Sequence, residues 1–575
     1  MYLRTTSRRN KDGSVVRYYQ LAHNEWDPER KRSTARVIHN FGRADELDRD
    51  GLVRLCCSIA RVCGVRVEDP LAHADVGDGA FGEGVGLPED VRFLGSRDLG
   101  VVWVAEALWD RLGIGPCLRE LERTSRVEGR GYERALLAMT ANRLSAPDSK
   151  LGVWERWLGR VYLPTCWDLG LDRLYEAMDW LYEHAETVER EVFFHTADLL
   201  NLAVDVIFYD TTTASFAIDD EDGPAGDGEP ASGATHDGLR RFGYSKEGTW
   251  SPQVVVALAV TREGFPVRSW VFPGNTTDVT TVERVRNDLR GWKLGRVMFV
   301  GDAGMNSADN RQVLARGCGN YILATPLGES EIRDEVLSRP GRYRKMQENL
   351  WAKEVVLGKG VRRRRTILCY NPKEAERQRA HREEVLRELE EELARHPSLD
   401  ATQKWAAELR ASRRYGRYLT VGGKGKKTLR INRGAVRRAE RTDGKWVIET
   451  NDDTIRVEDA VQGYRGLMVI ERCFRSMKRT QIRMTPMWHR LERRIVAHVK
   501  LCVLALLLER VAEHRCGKSW ARIEHALSGF TAGEFEAKDH RFFQRSEITP
   551  EQREIFKKLE ISAPKRVFGI RRHPG

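Results

Sequence analysis

Five short apolar runs in an uneven rhythm constrain the fold of this chain more than any other feature. They are VDVIFY (Val204 to Tyr209), QVVVALAV (Gln253 to Val260), PVRSWVF (Pro266 to Phe272), GRVMFV (Gly295 to Val300) and NYILAT (Asn320 to Thr325). Runs of this length, rich in β-branched and aromatic residues, read as buried strands. TREG, between the second and third, signals a hairpin. TTVERVRNDLRGW reads as a helix, with Thr280 and Glu283 in capping-box spacing, and a short helix precedes the last run. Hairpin-ordered strands followed by helix, strand, helix and strand predict a mixed α/β sheet. Two strands are expected to end in a carboxylate, at Tyr209-Asp210 and at Val300-Gly301-Asp302. Ligands gather at strand ends where strand order switches, so one sheet would let these aspartates meet.

At 575 residues the chain is too long for one core, and the sheet accounts for only part of it. Residues 1–65 read as a small basic β module that suits DNA, carrying Arg4, Arg8, Arg9, Lys11, Arg17, Arg30, Lys31 and Arg32. Residues 66–98, rich in glycine and acid, read as a linker. Apolar residues three and four apart make 99–202 a helical domain. The sheet's first part spans 203–330 and contains an acidic, glycine-rich loop, IDDEDGPAGDGEPASGATHDG. Residues 331–453 interrupt it with a β-rich insertion: a basic hairpin, a charged helix, then β-like sequence through GAVRRAERTDGKWVIETND. Residues 454–515 return to the core through two helical stretches, the second containing the apolar run Leu501 to Leu508. Residues 516–575 read as a tail of helix and coil.

The formal net charge is +12, which favours a polyanionic partner, nucleic acid first. Ten cysteines without a C-x-x-C pair, behind a polar and basic start, suggest reduced thiols in a cytoplasmic protein. No apolar run approaches the length of a membrane span. The histidines form no H-E-x-x-H and no Cys/His cluster, and GGKGKKT (Gly422 to Thr428) lacks phosphate-loop spacing.

A third acid would complete a site for two hard cations, because Mg²⁺ takes oxygen ligands and a pair of ions needs a bridging carboxylate. Glu471 is the candidate, on a predicted helix whose apolar side is built from Leu467, Met468, Ile470, Phe474 and Met477. Tyr464, Glu471 and Lys478 are seven apart, which a continuous helix places on one face. Basic residues crowd this region, among them Arg472, Arg475, Arg479, Arg483, Arg490, Arg493 and Arg494. Further runs are Arg362 to Arg365 and the cations from Lys424 to Arg438. Any one run suits a solvated face, whereas several around the third acid suit phosphate. Tyr244, Ser245 and Lys246 stand just before the second strand and could join them. Trp351 and Trp446 suit core packing or stacking on an unpaired base.

Tyr464, Glu471 and Lys478 resemble the Tyr-Arg-Glu-Lys signature of DDE transposases encoded by bacterial insertion sequences. YDTTT, GNTTDVTT (Gly274 to Thr281), VGDAGM (Val300 to Met305) and the run from Tyr464 through Leu508 resemble the same group, in the same order. The likeness covers about residues 200 to 515, with KDGSVVRYYQLAHN near the start also similar. Leu467 occupies the signature's arginine position, leaving Arg465 or Arg475 to replace it.

The resemblance implies an RNase H-like core with an insertion between the second and third acids. It implies that Asp210 bridges two Mg²⁺ ions, for which Mn²⁺ can substitute, while Asp302 and Glu471 hold one each. Tyr464 and Lys478 would hold phosphates, with Lys246, Arg472, Arg475, Arg479 and Arg490 as further DNA contacts. It implies cleavage at element ends, joining of the 3′-OH to target DNA, a homodimer at synapsis, and a cytoplasmic, nucleoid-associated protein. A structure-specific nuclease of the same fold that does not join, and a non-catalytic DNA-binding protein, are the alternatives.

Overall fold

The computed structural model describes residues 2–9, 15–27 and 32–43 as backbone, and residues 91–217, 220–222, 238–327, 331–358, 363–395, 404–422, 428–538 and 540–572. The side chains of the N-terminal cations, the linker up to Asp90, most of the acidic loop, Arg362, Lys424, Lys426 and Lys427 lie outside the described residues. The chain forms two compact units, Met1–Pro88 and Glu89–Gly575. The first contains an antiparallel sheet of β1 (Tyr2–Arg9), β2 (Val15–Asp27) and β3 (Arg32–Arg43), with β2 central.

The second unit opens with a strand, β4 (Val91–Asp98), in what the sequence suggests is linker. Four helices follow: α1 (Gly100–Arg111), α2 (Ile114–Thr124), α3 (Tyr132–Ser145) and α4 (Leu171–Leu199). The large sheet begins with β5 (Val206–Ser215), β6 (Arg241–Tyr244), β7 (Trp250–Val260) and β8 (Pro266–Pro273). After α5 (Asp278–Gly291) come β9 (Met298–Gly301), α6 (Ala308–Ala315) and β10 (Tyr321–Thr325). The mixed α/β architecture is therefore present.

Residues expected to interrupt the sheet also extend it. β11 (Arg344–Gln347), β12 (Leu350–Leu357), β13 (Arg364–Tyr370) and, after the helix α7 (Pro372–Arg395), β16 (Lys445–Thr450) all belong to it. Only β14 (Leu419–Gly422) and β15 (Thr428–Ile431) form a separate ribbon. The order is β11-β12-β13-β16-β10-β9-β5-β7-β6, with β8 also on β7. Antiparallel β16 covers the edge that β10 would otherwise leave open. One expected β stretch is helical: α8 (Arg433–Thr442) starts at Asn432, whose side chain accepts from the Ala435 amide.

α9 (Val457–Arg465), α10 (Met468–Arg475) and α11 (Glu492–Cys516) return the chain to the sheet. Leu501 and Leu504 to Leu508 are buried in α11, which packs against α3, α4 and β8 and so joins the helical layer to the sheet. The tail is not simply helix and coil. After α12 (Trp520–Ser528), β17 (Thr531–Ala537) pairs with β4 and with β18 (His540–Arg545). α13 (Pro550–Leu559) and β19 (Val567–Arg572) then complete a four-stranded sheet. Pairing between β4 and a strand more than four hundred residues later is invisible to local pattern. Among the described residues, no helix is long and apolar enough to cross a membrane.

Glu509 on α11 is buried, and both its carboxylate oxygens lie within 2.7 Å of the Ser476 hydroxyl. Burial raises its pKa from 4.5 to about 7. Between those values the unfolded chain has released a proton that the folded chain retains, so this residue's contribution to stability falls as pH rises and is lowest above pH 7. Glu509→Gln is expected to raise stability at pH 8 by on the order of 3 kcal/mol. Thermal unfolding should show no such gain at pH 4.

Candidate active site

Asp210 and Asp302 are brought level by strand register. β5 and β9 run parallel with Val206 opposite Met298 and Phe208 opposite Val300, so Asp210 and Asp302 each lie two residues beyond the last pair. Side chains alternate along strands. Phe208 and Val300 belong to the core on one face of the sheet, and Tyr209 and Phe299 to the core on the other. Asp210 and Asp302 therefore follow the Phe208 and Val300 face, on which α9 and α10 pack. A Cβ added to Gly466, between those helices, would collide with the Phe208 ring.

Asp210 does not end its strand. β5 continues to Ser215, with Asp210 opposite Leu258 of β7, while β9 stops at Gly301. The strand's other edge is thus released at the acid, where β9 gives way to the turn that Asp302 caps through Ala303. Asp302 is exposed and Asp210 half-buried. Burial raises the Asp210 pKa to about 6; Lys246 opposes that shift and Asp302 adds to it.

Lys246 reaches this point from the turn between β6 and β7. Its Nζ lies 3.3 Å from Asp210 Oδ1 and 3.4 Å from Asp278 Oδ2, and donates to the Thr211 carbonyl at 2.6 Å. Expected as a DNA contact, it occupies the position of a cation between two carboxylates. Asp278, which sequence reasoning passed over, lies in the first turn of α5 and accepts from the Thr211 hydroxyl. A Cβ on Gly304 would stand 3.4 Å from Asp278 Oδ2, so this acid also adjoins the Asp302 turn. The expected Thr280–Glu283 capping box is absent, because α5 begins earlier, after Thr277, and Thr280 donates back to the Thr277 carbonyl. A cavity of about 420 Å³ adjoins Thr211, Lys246 and Asp278. Tyr244 and Trp250 line it, 58% and 66% exposed, with Trp250 stacked on Phe242 at 6.2 Å.

The third acid lies where the helix that the spacing of seven suggests keeps right-handed backbone angles but changes its hydrogen-bond pattern on either side. α9 ends at Arg465, α10 carries Glu471, and Ser476–Thr480 is a π-helical turn carrying Lys478. Ile470, Cys473 and Phe474 are buried, Met468 is exposed against expectation, and Glu471 faces solvent. Tyr464 is close enough to all three acids to feel their charges. Burial, then the charges of Asp302, Glu471 and Asp210, hold its phenol well above the ordinary value.

Lys478 Nζ is 2.8 Å from Glu247, which also pairs with Arg479 at 3.0 Å. Arg472, Arg475 and Arg490 are exposed, whereas Arg494 pairs with Asp179. Arg363, Arg364 and Arg365 pair with Asp453, Glu449 and Glu354, so this basic run braces its own sheet. Trp351 and Trp446 are half-buried.

The donors suit a hard divalent cation: Asp210, Asp302 and Glu471 offer carboxylate oxygens, and a lysine ammonium already neutralises one of them. Among the described residues, no three acids, histidines or cysteines are gathered tightly enough to close on one ion. The chemistry fits, with Lys246 having to turn away and Glu471 to turn inward.

Residues 216–508, more than half of the chain, match the transposase DDE domain. The chain belongs to the DDE transposases. Residues 3–69 also match the N-terminal domain of IS1634 family transposases. In this transposase Asp302 and Glu471 lie within the matched stretch, and Asp210 just ahead of it. No curated protein sequence matches it. A cryo-EM structure of a piggyBac transposase synaptic complex with hairpin DNA aligns at 9% identity and a TM-score of 0.33, covering 70% of each chain. A Mos1 transposase paired-end complex with the left transposon end aligns at 15% identity and 0.13, covering 42% of this chain and 60% of that one. Such scores are too low to define a shared fold. Enzymes with this domain cleave and join DNA with the help of divalent metal ions.

Proposed function

We propose that the transposase cuts the ends of its element and joins each 3′-OH to target DNA at a single site formed by Asp210, Asp302 and Glu471. The observation that carries this reading is the register of β5 and β9, which levels the two aspartates beneath the helices bearing Tyr464 and Glu471. In this reading the β5–β10 sheet is an RNase H-like core, residues 331–453 are its insertion, and 1–65 bind DNA.

Asp210 would bridge two Mg²⁺ ions, with Asp302 and Glu471 holding one each. Bound there, they would make a water or a 3′-OH nucleophilic at neutral pH and neutralise the leaving oxygen. Tyr464 stays protonated through the neutral range and so keeps a proton to donate to a phosphate oxygen. Lys478 is anchored by Glu247, a partly exposed partner that a DNA phosphate can displace. Arg475, one turn after Glu471 and exposed, suits the signature's arginine better than Arg465, which donates to Gln347 at 2.9 Å. Leu467 is buried, and an arginine there would place a charge in the core. The two ends of the element must be held together for joining, which implies at least a dimer on the paired ends.

Full-length transposase, labelled end DNA and a target plasmid are expected to give joined products with Mg²⁺ or Mn²⁺ and none with EDTA. Mn²⁺ titration followed by electron paramagnetic resonance should count two ions per chain. A count of zero, or cleavage that survives EDTA, would refute the reading. End binding should also weaken steeply with salt, as phosphate contacts require; a flat response removes that part of the argument.

A further inference from the structure

A second cavity, of about 330 Å³, lies away from the acids, between the end of α3 and the segment joining the π-helical turn to α11. Arg143, Lys150, His489 and His498 line it, and Arg143, Lys150 and His498 are each no more than 5% exposed. Trp488, 67% exposed, also lines it, as does the exposed Arg483.

The hydrogen bonds leave this cluster without an anionic partner. His498 Nε2 lies 3.0 Å from the Met484 carbonyl and must donate to it, so Nδ1 is the acceptor for Lys150 Nζ at 3.1 Å. A lysine nitrogen can make three hydrogen bonds, and among the described residues this is the one partner of Lys150. Arg143 spends its terminal nitrogens on the carbonyls of Asp148, Ile482 and Arg483, while its buried Nε has no partner. Asp148 also lines the cavity, with its carboxylate paired to Arg156, and the nearby Asp179 pairs with Arg493 and Arg494. Burial of unpaired cations is costly unless an anion meets them. Burial and the neighbouring cations push Lys150 well below its usual value and His489 down to about 3, so the cavity by itself disfavours charge on both and an entering anion would restore it on Lys150.

We propose that this cavity binds a backbone phosphate of a DNA strand, with Lys150 and Arg143 as its counter-charges and an adjoining base stacked on Trp488. The segment also pairs with the end of β5, through Met487 with Ser215 and Ala217. A strand held here is therefore tethered to the strand that carries Asp210. The site rests on the transposase's action on DNA but not on the assignment of the three acids.

The test uses the full chain in EDTA, so that its failure leaves the acid assignment untouched. Inorganic phosphate is expected to raise the melting temperature more than chloride at equal ionic strength. A 5′-phosphorylated trinucleotide should quench tryptophan fluorescence on binding. Lys150→Met should abolish the phosphate response and weaken the trinucleotide about tenfold, the scale of a lost hydrogen bond to charge. Trp488→Ala should keep the phosphate response and weaken the trinucleotide about tenfold, the scale of one stacked base. If Lys150→Met answers both ligands like wild type, the site is refuted. If phosphate protects but Trp488→Ala binds the trinucleotide unchanged, the occupant is a free anion and the DNA assignment is overturned. Trp488 is exposed, so that second arm decides even if Lys150→Met fails to fold.

Discussion

Asp210→Ala is expected to lower both cleavage and joining by about a thousandfold or more, while end-DNA affinity changes by less than about twofold. The size follows from removing a group that acts on charge developing in the transition state inside a partly dehydrated site. Both steps should fall together, because both are in-line attacks on a phosphodiester served by the same carboxylates. Binding should survive, because the cations expected to hold phosphate lie elsewhere, on the π-helical turn and its flanks. Paired gel-shift and strand-transfer assays on the same preparation make the comparison. Lost binding would show instead that Asp210 supports the fold. Lost joining with intact cleavage would place the two reactions at different sites.

The second large effect is expected at Asp278. It accepts from the Thr211 hydroxyl, stands 3.4 Å from the Lys246 ammonium and adjoins the turn after Asp302. It is thus a positioning residue, holding the residue next to Asp210 and the lysine that screens it. Outer partners of a metal-binding carboxylate typically alter affinity or activity by about 10- to 100-fold. Asp278→Ala is expected to slow cleavage within that range and to raise the Mn²⁺ concentration needed for half-maximal binding. Asp278→Asn, which keeps an acceptor for Thr211, should recover part of the rate. Unchanged metal binding with a lower melting temperature would reduce Asp278 to a structural cap.

The contrast between these two aspartates shows what was legible. Asp210 drew notice because a carboxylate follows four apolar residues of a strand and Asp302 follows another strand of the same sheet. Asp278 did not, because an acid in the first turn of a helix is ordinary capping chemistry. Lys246 looked like one more surface cation, and only the fold reveals that it reaches across β5 to two acids. The arginines at 363 to 365 looked like a phosphate patch, yet each pairs with an acid, two of them on residues following or within β16.

Apolar runs and their order determined by themselves that this chain builds a mixed sheet, because burial of period-two and period-3.6 faces is a local property of sequence. They also marked Asp210 and Asp302 as residues to watch, while the resemblance to the transposase signature gave Glu471 its weight. Tertiary structure alone decided that Phe208 stands opposite Val300, that the hydrogen bonding of the helix bearing Glu471 changes on both sides of it, and that β4 pairs with β17. Register, changes in helical hydrogen bonding and long-range pairing depend on what a segment packs against, and that partner is remote in the chain.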